Sequence, residues 1–336
     1  MKREYWIDYI KLFACILVAI GHLLMGMVEA GILGSTAGYK WFIGTIYYFH
    51  VPLFFLCSGY LHQQMTEITT ISSWKNNVLK KAIALGIPYF VFSFITWMLK
   101  NVFSGSVNSQ TGGLMVTLLL RPSSPYWYLY TLFFIFLIMP TFTCRKYAVL
   151  GLAVATALKY VRNADYFTTD IYAITQTLEH LVWFVVGMCL SVFQVPERYK
   201  NEYKKRGGLL CAGLFLAMSL LDGKVFLNSV NENLLMGGLG CSAVFLLIVQ
   251  WRPSERMGKI LNQCVRYTMP IYLMHTIFAA GIRAVLMKLG IEHPMIHTAV
   301  GLLASFVGPV AAMWFLEKIK LEYLVYPGHR KKQNHA

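Results

Sequence analysis

The sequence predicts an all-α polytopic integral membrane protein with about ten transmembrane helices and both termini in the cytoplasm. Hydrophobic residues make up 57% of the 336 residues, charged residues make up 13%, and the mean hydropathy is +0.54. A water-soluble domain needs roughly a quarter of its residues charged, so this composition excludes a water-soluble domain. The apolar residues also fall into long runs separated by short basic segments, which is typical of a multi-pass chain.

Ten apolar runs can serve as transmembrane helices, since a helix needs roughly 20 apolar residues to cross about 30 Å of hydrocarbon. In chain order they cover residues 7–28, 41–62, 82–100, 127–141, 147–159, 177–194, 207–222, 233–250, 267–288 and 296–317. The fourth and fifth runs are the shortest. The stretch GGLMVTLLL (112–120) is apolar but brief, so it predicts a re-entrant or surface helix.

Lysine and arginine indicate the orientation, because basic side chains resist translocation and collect in cytoplasmic loops. With both termini inside, and with a basic residue at the very end of a span counted with the adjoining loop, the inner segments hold 21 basic residues, and Lys11 and Arg283 lie within spans. The outer loops hold seven: Lys40, Lys100, Arg121, Lys159, Arg162, Lys224 and Lys288. We therefore attribute the net charge of +15 to topology. The basic residues form no amphipathic face or aromatic-interleaved tail, so we expect no nucleic-acid partner.

Residues 1–336 are predicted to form one transmembrane domain. The longest predicted loop, 101–126, has 26 residues, whereas a soluble domain usually needs at least about 50. The first apolar run contains charges and no small-residue cleavage site, so we interpret it as a retained signal anchor. The seven cysteines show no metal-ligand spacing, and we expect neither a disulfide framework nor a metal site.

The first apolar run, YWIDYIKLFACILVAIGHLL, carries polar side chains within a membrane helix. Lys11 and His22 are eleven residues apart, about 16 Å of helix, so both project from nearly the same face. Asp8 lies one turn before Lys11, and both are close enough to the span end for interfacial positions. His22 lies well inside the run, where an imidazole needs either a functional role or a hydrogen bond to another helix.

Two further spans combine proline with polar residues. In YYFHVPLFFLCSGYL, His50 and Pro52 predict a helix break lined by protein or water, and Ser58 follows two turns later. In YTMPIYLMHTIFAAGIRAVL, Arg283 follows His275 by eight residues, about 80° around the helix, so the two could line adjacent walls of one cavity. Several histidines and an arginine with few acids favour an anionic ligand.

Four motifs occur in order along the chain. They are IDYIK followed by His22, FHVPLFFLCSGYL at 49–61, WYL at 127–129 and IYLMH at 271–275, and they span about 270 residues. This ordered set resembles acyltransferase family 3, a family of bacterial inner-membrane enzymes. The resemblance implies transfer of an acyl group, commonly acetyl from cytoplasmic acetyl-CoA, to a hydroxyl of an envelope glycan or its lipid-linked precursor.

The same resemblance implies roles for individual residues. Lys11 and His22 match the family's basic residue and histidine in the first span, both implicated in transfer. The family usually has arginine where this chain has Lys11, and lysine keeps the charge but loses the bidentate fork. Lys80 and Lys81 are nearest to a basic motif proposed to meet the donor, and Trp127 matches the family's tryptophan.

These residues fit an acyl-transfer reaction. A sugar hydroxyl is a poor nucleophile, so a base must accept its proton, and His22 is the best candidate. Acylation of the imidazole is the alternative route. His275 or Ser58 could donate to the oxyanion. We assign catalysis to His22, Lys11 and His275, and substrate or donor binding to Asp8, His50, Ser58, Lys80, Lys81, Trp127 and Arg283.

Other functions stay open on the residues alone. Broken helices with intramembrane histidine and arginine are also typical of a transporter or exporter of an envelope glycan or small anionic solute, although the halves show no internal repeat. An O-succinyltransferase is a further alternative, and no feature favours a sensor or scaffold. We expect no tightly bound cofactor, acetyl-CoA or succinyl-CoA as donor, contact with membrane lipids, an inner-membrane location, and either a monomer or a homo-oligomer.

Overall fold

The computed structural model describes residues 4–103, 112–163, 169–199, 205–225 and 230–328, and every regular element within them is helical. The α-helices of these residues are α1 Tyr5–Glu29, α2 Ala37–Tyr47, α3 His50–Met65, α4 Ile71–Val102, α5 Trp127–Ile138, α6 Arg145–Asn163, α7 Tyr172–Val192, α8 Val195–Tyr199, α9 Lys205–Val225, α10 Val230–Val249, α11 Glu255–Arg266, α12 Thr268–Lys288 and α13 Pro294–Lys318. A π-helical turn (Val116–Leu120) and a 3₁₀ turn (Glu322–Leu324) accompany them. The predicted all-α class is confirmed.

Six helical segments among the described residues are long and apolar enough to cross a membrane: Tyr5–Glu29, Ala37–Met65, Ile71–Val102, Tyr172–Val192, Thr268–Lys288 and Pro294–Lys318. Three shorter apolar helices, in α5, α9 and α10, coincide with three more expected spans. The remaining expected span, 147–159, lies in α6. The count of ten and the cytoplasmic location of the termini stay predictions.

The helix break expected near Pro52 lies between α2 and α3. α2 ends at Tyr47 and α3 begins at His50, so two residues interrupt the second span. His50 Nδ1 donates to the Ile46 carbonyl oxygen across this interruption at 2.6 Å. Pro52 falls in the first turn of α3, where its missing N–H removes no helical hydrogen bond.

The chain divides into two compact units, and α1 contributes residues to both. Within the described residues, the first unit comprises 1–17, 36–73 and 139–265, and the second comprises 18–35, 74–138 and 266–336. The first unit therefore holds α2, α3, α6 to α10 and nearly all of α11. The second holds most of α4 together with α5, α12 and α13.

In the first unit, α3 packs directly on α7. Gly59 of α3 lies against the backbone carbonyl of Phe184, and Gly187 of α7 lies against the carbonyl of Leu56. A Cβ at either glycine would overlap the opposing backbone. Small residues permit such a close approach of membrane helices, so the glycine in the SGY motif serves helix packing.

A buried ion pair joins α6 to α7 in the same unit. Lys159, with a side chain only 1% exposed, donates to a carboxylate oxygen of Glu179 and to the Glu179 carbonyl oxygen at 3.2 Å. Asn163 donates to the second carboxylate oxygen at 3.0 Å. The topology prediction counts Lys159 with an outer loop, but its charge is buried and compensated, so it carries no information about orientation.

In the second unit, α12 packs along α13. Gly308 of α13 lies against the ring of Phe278, and the Arg266 guanidinium lies 2.6 Å from a carboxylate oxygen of Glu317. The hydrogen bond and the negative charge of Glu317 raise the pKa of Arg266, because both favour the protonated guanidinium. This pair ties the residues just before α12 to the end of α13.

One helix is longer than the sequence predicts, and another was not predicted at all. α4 has 32 residues and begins eleven residues before the expected span 82–100, so Lys80 and Lys81 lie within the helix. α11, for which sequence analysis predicts no element, buries none of its side chains and connects two apolar helices. Within GGLMVTLLL, the regular part is the π-helical turn.

Candidate active site

His22 and His275 lie side by side in the second unit. Their ring centroids are 5.3 Å apart, and their ring planes are inclined at 41°. α1 positions the first ring and α12 the second, although 253 residues separate them in the chain. His22 is half-buried, whereas His275 is only 1% exposed. The structure thus brings together two of the three residues to which the sequence assigns catalysis.

Hydrogen bonds to the backbone of α12 fix the tautomer of His275. Its Nδ1 lies 2.9 Å from the Ile271 carbonyl oxygen and 3.0 Å from the Tyr272 carbonyl oxygen. Because a carbonyl oxygen only accepts, Nδ1 carries the proton, and in the neutral imidazole Nε2 therefore presents a lone pair. Among the described residues, this buried Nε2 has no hydrogen-bond partner. It can therefore accept a hydrogen bond from a hydroxyl of a bound molecule.

Ser124 brings a hydroxyl to His22. The Ser124 Oγ lies 3.4 Å from His22 Nε2, and the serine is exposed. When His22 is neutral with its proton on Nδ1, the serine hydroxyl donates to Nε2. A hydroxyl beside an imidazole nitrogen is the arrangement by which histidine activates an oxygen nucleophile, and the distance is often long before substrate binds.

Two tyrosines hold the segment around Ser124 against α12. The Tyr126 hydroxyl, fully buried, donates to the Leu273 carbonyl oxygen at 2.9 Å. The Tyr272 hydroxyl donates in the opposite direction, to the Pro125 carbonyl oxygen at 2.5 Å. The Ser124–Pro125 peptide bond is cis. Because each element donates to the backbone of the other, the position of Ser124 relative to α12 is fixed on its C-terminal side.

Arg283 adds a permanent positive charge one helical turn along α1 from His22. Its guanidinium lies against Gly26, one helical turn beyond His22 on α1, where a Cβ would overlap Nη1. Glu29 interacts electrostatically with Arg283 and with Lys100 at the end of α4. Among the described residues, these two basic side chains and one carboxylate leave a positive balance, which favours an anionic group or a developing negative charge.

Asp8, Lys11 and Ser58 belong to the first unit. Asp8 and Lys11 are half-buried, and both charges act on Cys57 of α3. Ser58, the next residue of α3, is 7% exposed. α1 continues unbroken from Lys11 to His22, so the three-turn spacing expected from the sequence is present.

His50 is likewise a residue of the first unit and is 2% exposed. Besides its hydrogen bond to the Ile46 carbonyl, its ring lies edge-on to Tyr47 with centroids 4.5 Å apart. These contacts hold His50 at the helix break between α2 and α3, and its assignment to substrate or donor binding stays a prediction.

Lys80, Lys81 and Trp127 lie in the second unit. Lys80 is exposed, and the Lys81 ammonium lies 4.2 Å from the Phe136 ring centroid. Both lysines are roughly 29–30 Å along α4 from Lys100, so they do not share the end of the helix where Lys100 interacts with Glu29. Trp127 is half-buried and begins α5, three residues after Ser124.

Ser124, Gly26 and the two tyrosine hydroxyls are not among the site residues predicted from the sequence. Gly26 could have been found, because it lies four residues after His22 and therefore on the same helical face. Ser124 stands in a loop, where no periodicity relates it to a helix face. Only the packing of the loop against α12 brings its hydroxyl to the histidines.

Comparison with known proteins identifies the family. The family described as an acyltransferase domain matches residues 4–314, which is nearly the whole chain. The protein therefore belongs to acyltransferase family 3, and its apolar helices make it a multi-pass membrane member of that family.

Among curated proteins, Nodulation protein NolL of Mesorhizobium japonicum is 26% identical to this chain over 201 residues. The matched part is 60% of this chain and 50% of the relative, so the chain spans about half the length of that protein. No solved structure matches the chain.

Proposed function

We propose that this protein is an O-acyltransferase of the bacterial cytoplasmic membrane, moving an acyl group, in the simplest case acetyl, from cytoplasmic acyl-CoA to a hydroxyl of an envelope glycan or its lipid-linked precursor. Membership of the acyltransferase family supports the reaction class. The observation that carries the proposal is the approach of His22 to His275, whose buried Nε2 has no hydrogen-bond partner within the described part of the chain.

The geometry supports a role for each side chain in this reaction. His22 takes the proton of the attacking hydroxyl as the oxygen forms a bond to the thioester carbonyl carbon. Negative charge then develops on the carbonyl oxygen, and the Arg283 guanidinium beside Gly26 stabilises it. The carbon–sulfur bond breaks, and the imidazolium returns the proton to the departing CoA thiolate. His275 Nε2 orients a hydroxyl of the acceptor by accepting its hydrogen bond.

The CoA donor requires positive charge for its phosphates, and Lys11 is the residue proposed to contact it. Lys11 is half-buried on α1, where a cation needs an anionic partner. Lys11→Ala is expected to weaken acyl-CoA binding far more than Lys11→Arg, which keeps the charge. Equal binding by the two variants, measured by titration of the purified protein, removes Lys11 from the donor site.

The experiment that tests the function is transfer of label from radiolabelled acetyl-CoA into envelope glycan by membranes that contain the protein. Wild type and His22→Ala are compared at matched abundance, with His293→Ala as control because His293 is exposed at the start of α13. We expect label with wild type and His293→Ala, and a loss of about 100-fold or more with His22→Ala. No transfer by the wild type from acetyl-CoA or succinyl-CoA contradicts the proposal and favours the transporter alternative.

A further inference from the structure

We propose that Ser124 carries the acyl group covalently, so that transfer passes through an acyl-serine on this protein. The inference rests on the proposed function and adds an intermediate to it. It stands on three neighbouring groups. The exposed Ser124 hydroxyl lies 3.4 Å from His22 Nε2, and the Arg283 guanidinium of α12 lies against Gly26, one helical turn beyond His22 on α1.

Ser124 differs from the other hydroxyls of this site by its exposure. Thr96 and Tyr126 are buried and share a 2.8 Å hydrogen bond, and Tyr272 is buried with its hydroxyl on the Pro125 carbonyl. Tyr126 and Tyr272 each donate to a backbone carbonyl, and Thr96 is bonded to the Tyr126 hydroxyl. The Ser124 hydroxyl is exposed and next to His22 Nε2, so a thioester can reach it while the imidazole accepts its proton.

The loop holds this nucleophile in place. The Pro125 carbonyl accepts from Tyr272, and the Ser123 carbonyl accepts from the Trp127 backbone N–H at 3.2 Å, so the backbone is bonded on both sides of Ser124. A reacting oxygen on a fixed backbone loses less orientational freedom at the transition state than one on a mobile loop.

The reaction then has two steps that balance. In the first, Ser124 Oγ bonds to the thioester carbonyl carbon, its proton passes to His22 Nε2, and the carbon–sulfur bond breaks. His22 returns the proton to the sulfur, and CoA leaves as a free thiol. In the second step the acceptor hydroxyl bonds to the ester carbonyl carbon, its proton passes to His22 Nε2, and the carbon–oxygen bond to Ser124 breaks as His22 returns that proton to Ser124 Oγ.

This scheme gives the two histidines different tasks. His22 transfers a proton in both steps, because it is the imidazole next to the serine oxygen. His275, with Nδ1 held by the α12 backbone, accepts a hydrogen bond at Nε2 and orients the acceptor for the second step. Donor and acceptor can therefore occupy the site in succession.

The test is a rapid-quench experiment on the purified full-length protein with radiolabelled acetyl-CoA and no acceptor. We expect about one free CoA thiol per protein and an acetyl group on the peptide that contains Ser124, identified by mass spectrometry. Ser124→Ala is expected to show neither, and its transfer to glycan falls about 100-fold or more. Ser123→Ala is the matched control, because within the described residues Ser123 takes part through its backbone carbonyl, which alanine keeps, and it is expected to behave as wild type.

Neutral hydroxylamine identifies the carrier, since it cleaves an acyl-imidazole readily and leaves a serine ester. Persistence of the label supports Ser124, and its loss from the wild type shows an acyl-imidazole or a thioester and overturns the acyl-serine. Ser124→Cys is expected to form a thioester instead, which hydroxylamine cleaves. Wild-type transfer by Ser124→Ala overturns the acyl-serine and leaves the acyltransferase function intact, whereas absence of transfer in the wild type overturns both.

Discussion

The guanidinium of Arg283 occupies the space in which residue 26 would otherwise carry a β-carbon. Gly26, one turn along α1 from His22, therefore provides the space that the Arg283 guanidinium fills. Burying a cation among membrane helices is costly, and such residues usually mark a functional site. The missing side chain at Gly26 lets this charge approach α1 on the face that carries His22.

Gly26→Ala tests whether the reaction needs that approach. The new methyl group would displace the guanidinium, and because the arginine side chain is flexible the protein should still fold. We expect acetyl transfer to fall about 10-fold or more as the oxyanion loses its nearby charge. Gly281→Ala is the control, since a Cβ there meets open space and alanine favours helix. Equal loss in both variants would place the effect in the helices and not in Arg283.

His275→Asn tests the role of Nε2 in His275 separately from that of Nδ1. The asparagine amide can donate to the α12 carbonyls as Nδ1 does, but it has no acceptor at the position of Nε2. We expect a folded protein with thermal stability close to wild type and transfer reduced about 100-fold. Transfer at the wild-type rate would make His275 a structural residue of α12.

Gly59→Ala and Gly187→Ala test the packing of α3 on α7. Each added methyl group meets a backbone carbonyl, which cannot move aside as a side chain can. We expect each variant to lose about 3 kcal/mol of stability, at the upper end of the usual cost of overpacking. Thermal unfolding in detergent measures the loss. Gly86→Ala in α4 should be neutral, because nothing lies within 4 Å of its Cβ position.

Replacing one partner of the buried pair between Lys159 and Glu179 should lower the stability of the protein more than replacing both. Lys159→Met or Glu179→Leu leaves a charge without compensation, at a cost of about 3 kcal/mol or more, whereas the double variant leaves none. A double-mutant cycle of unfolding temperatures measures the coupling. Replacement of the exposed Lys259 or Glu255, which pair at 2.7 Å on α11, should have almost no effect. Additive effects at the buried pair would contradict the prediction.

Much of the fold could be predicted from the sequence because its causes are local. Long apolar runs require helices in a membrane, and the break before His50 follows from a proline within a span. The short α5, the extension of α4 and the surface helix α11 were not predicted at these bounds, because helix ends depend on capping and packing that hydropathy does not record.

The site could be predicted only in part. His22, His275 and Arg283 stood out because ionisable side chains are rare inside apolar runs. Their approach to one another is a tertiary contact over 253 residues between the two histidines, and no local pattern encodes it. Ser124 was missed for the complementary reason, since serine in a loop is common and only the histidine beside it gives it significance.

The pairing of Gly59 with the Phe184 carbonyl and of Gly187 with the Leu56 carbonyl also constrains how the sequence can evolve. A clash between two side chains can be relieved by a smaller residue opposite, but a backbone carbonyl has no smaller form. No second substitution can therefore rescue a larger residue at either position while the helices stay in contact. Natural variants of this protein should keep both glycines or separate α3 from α7.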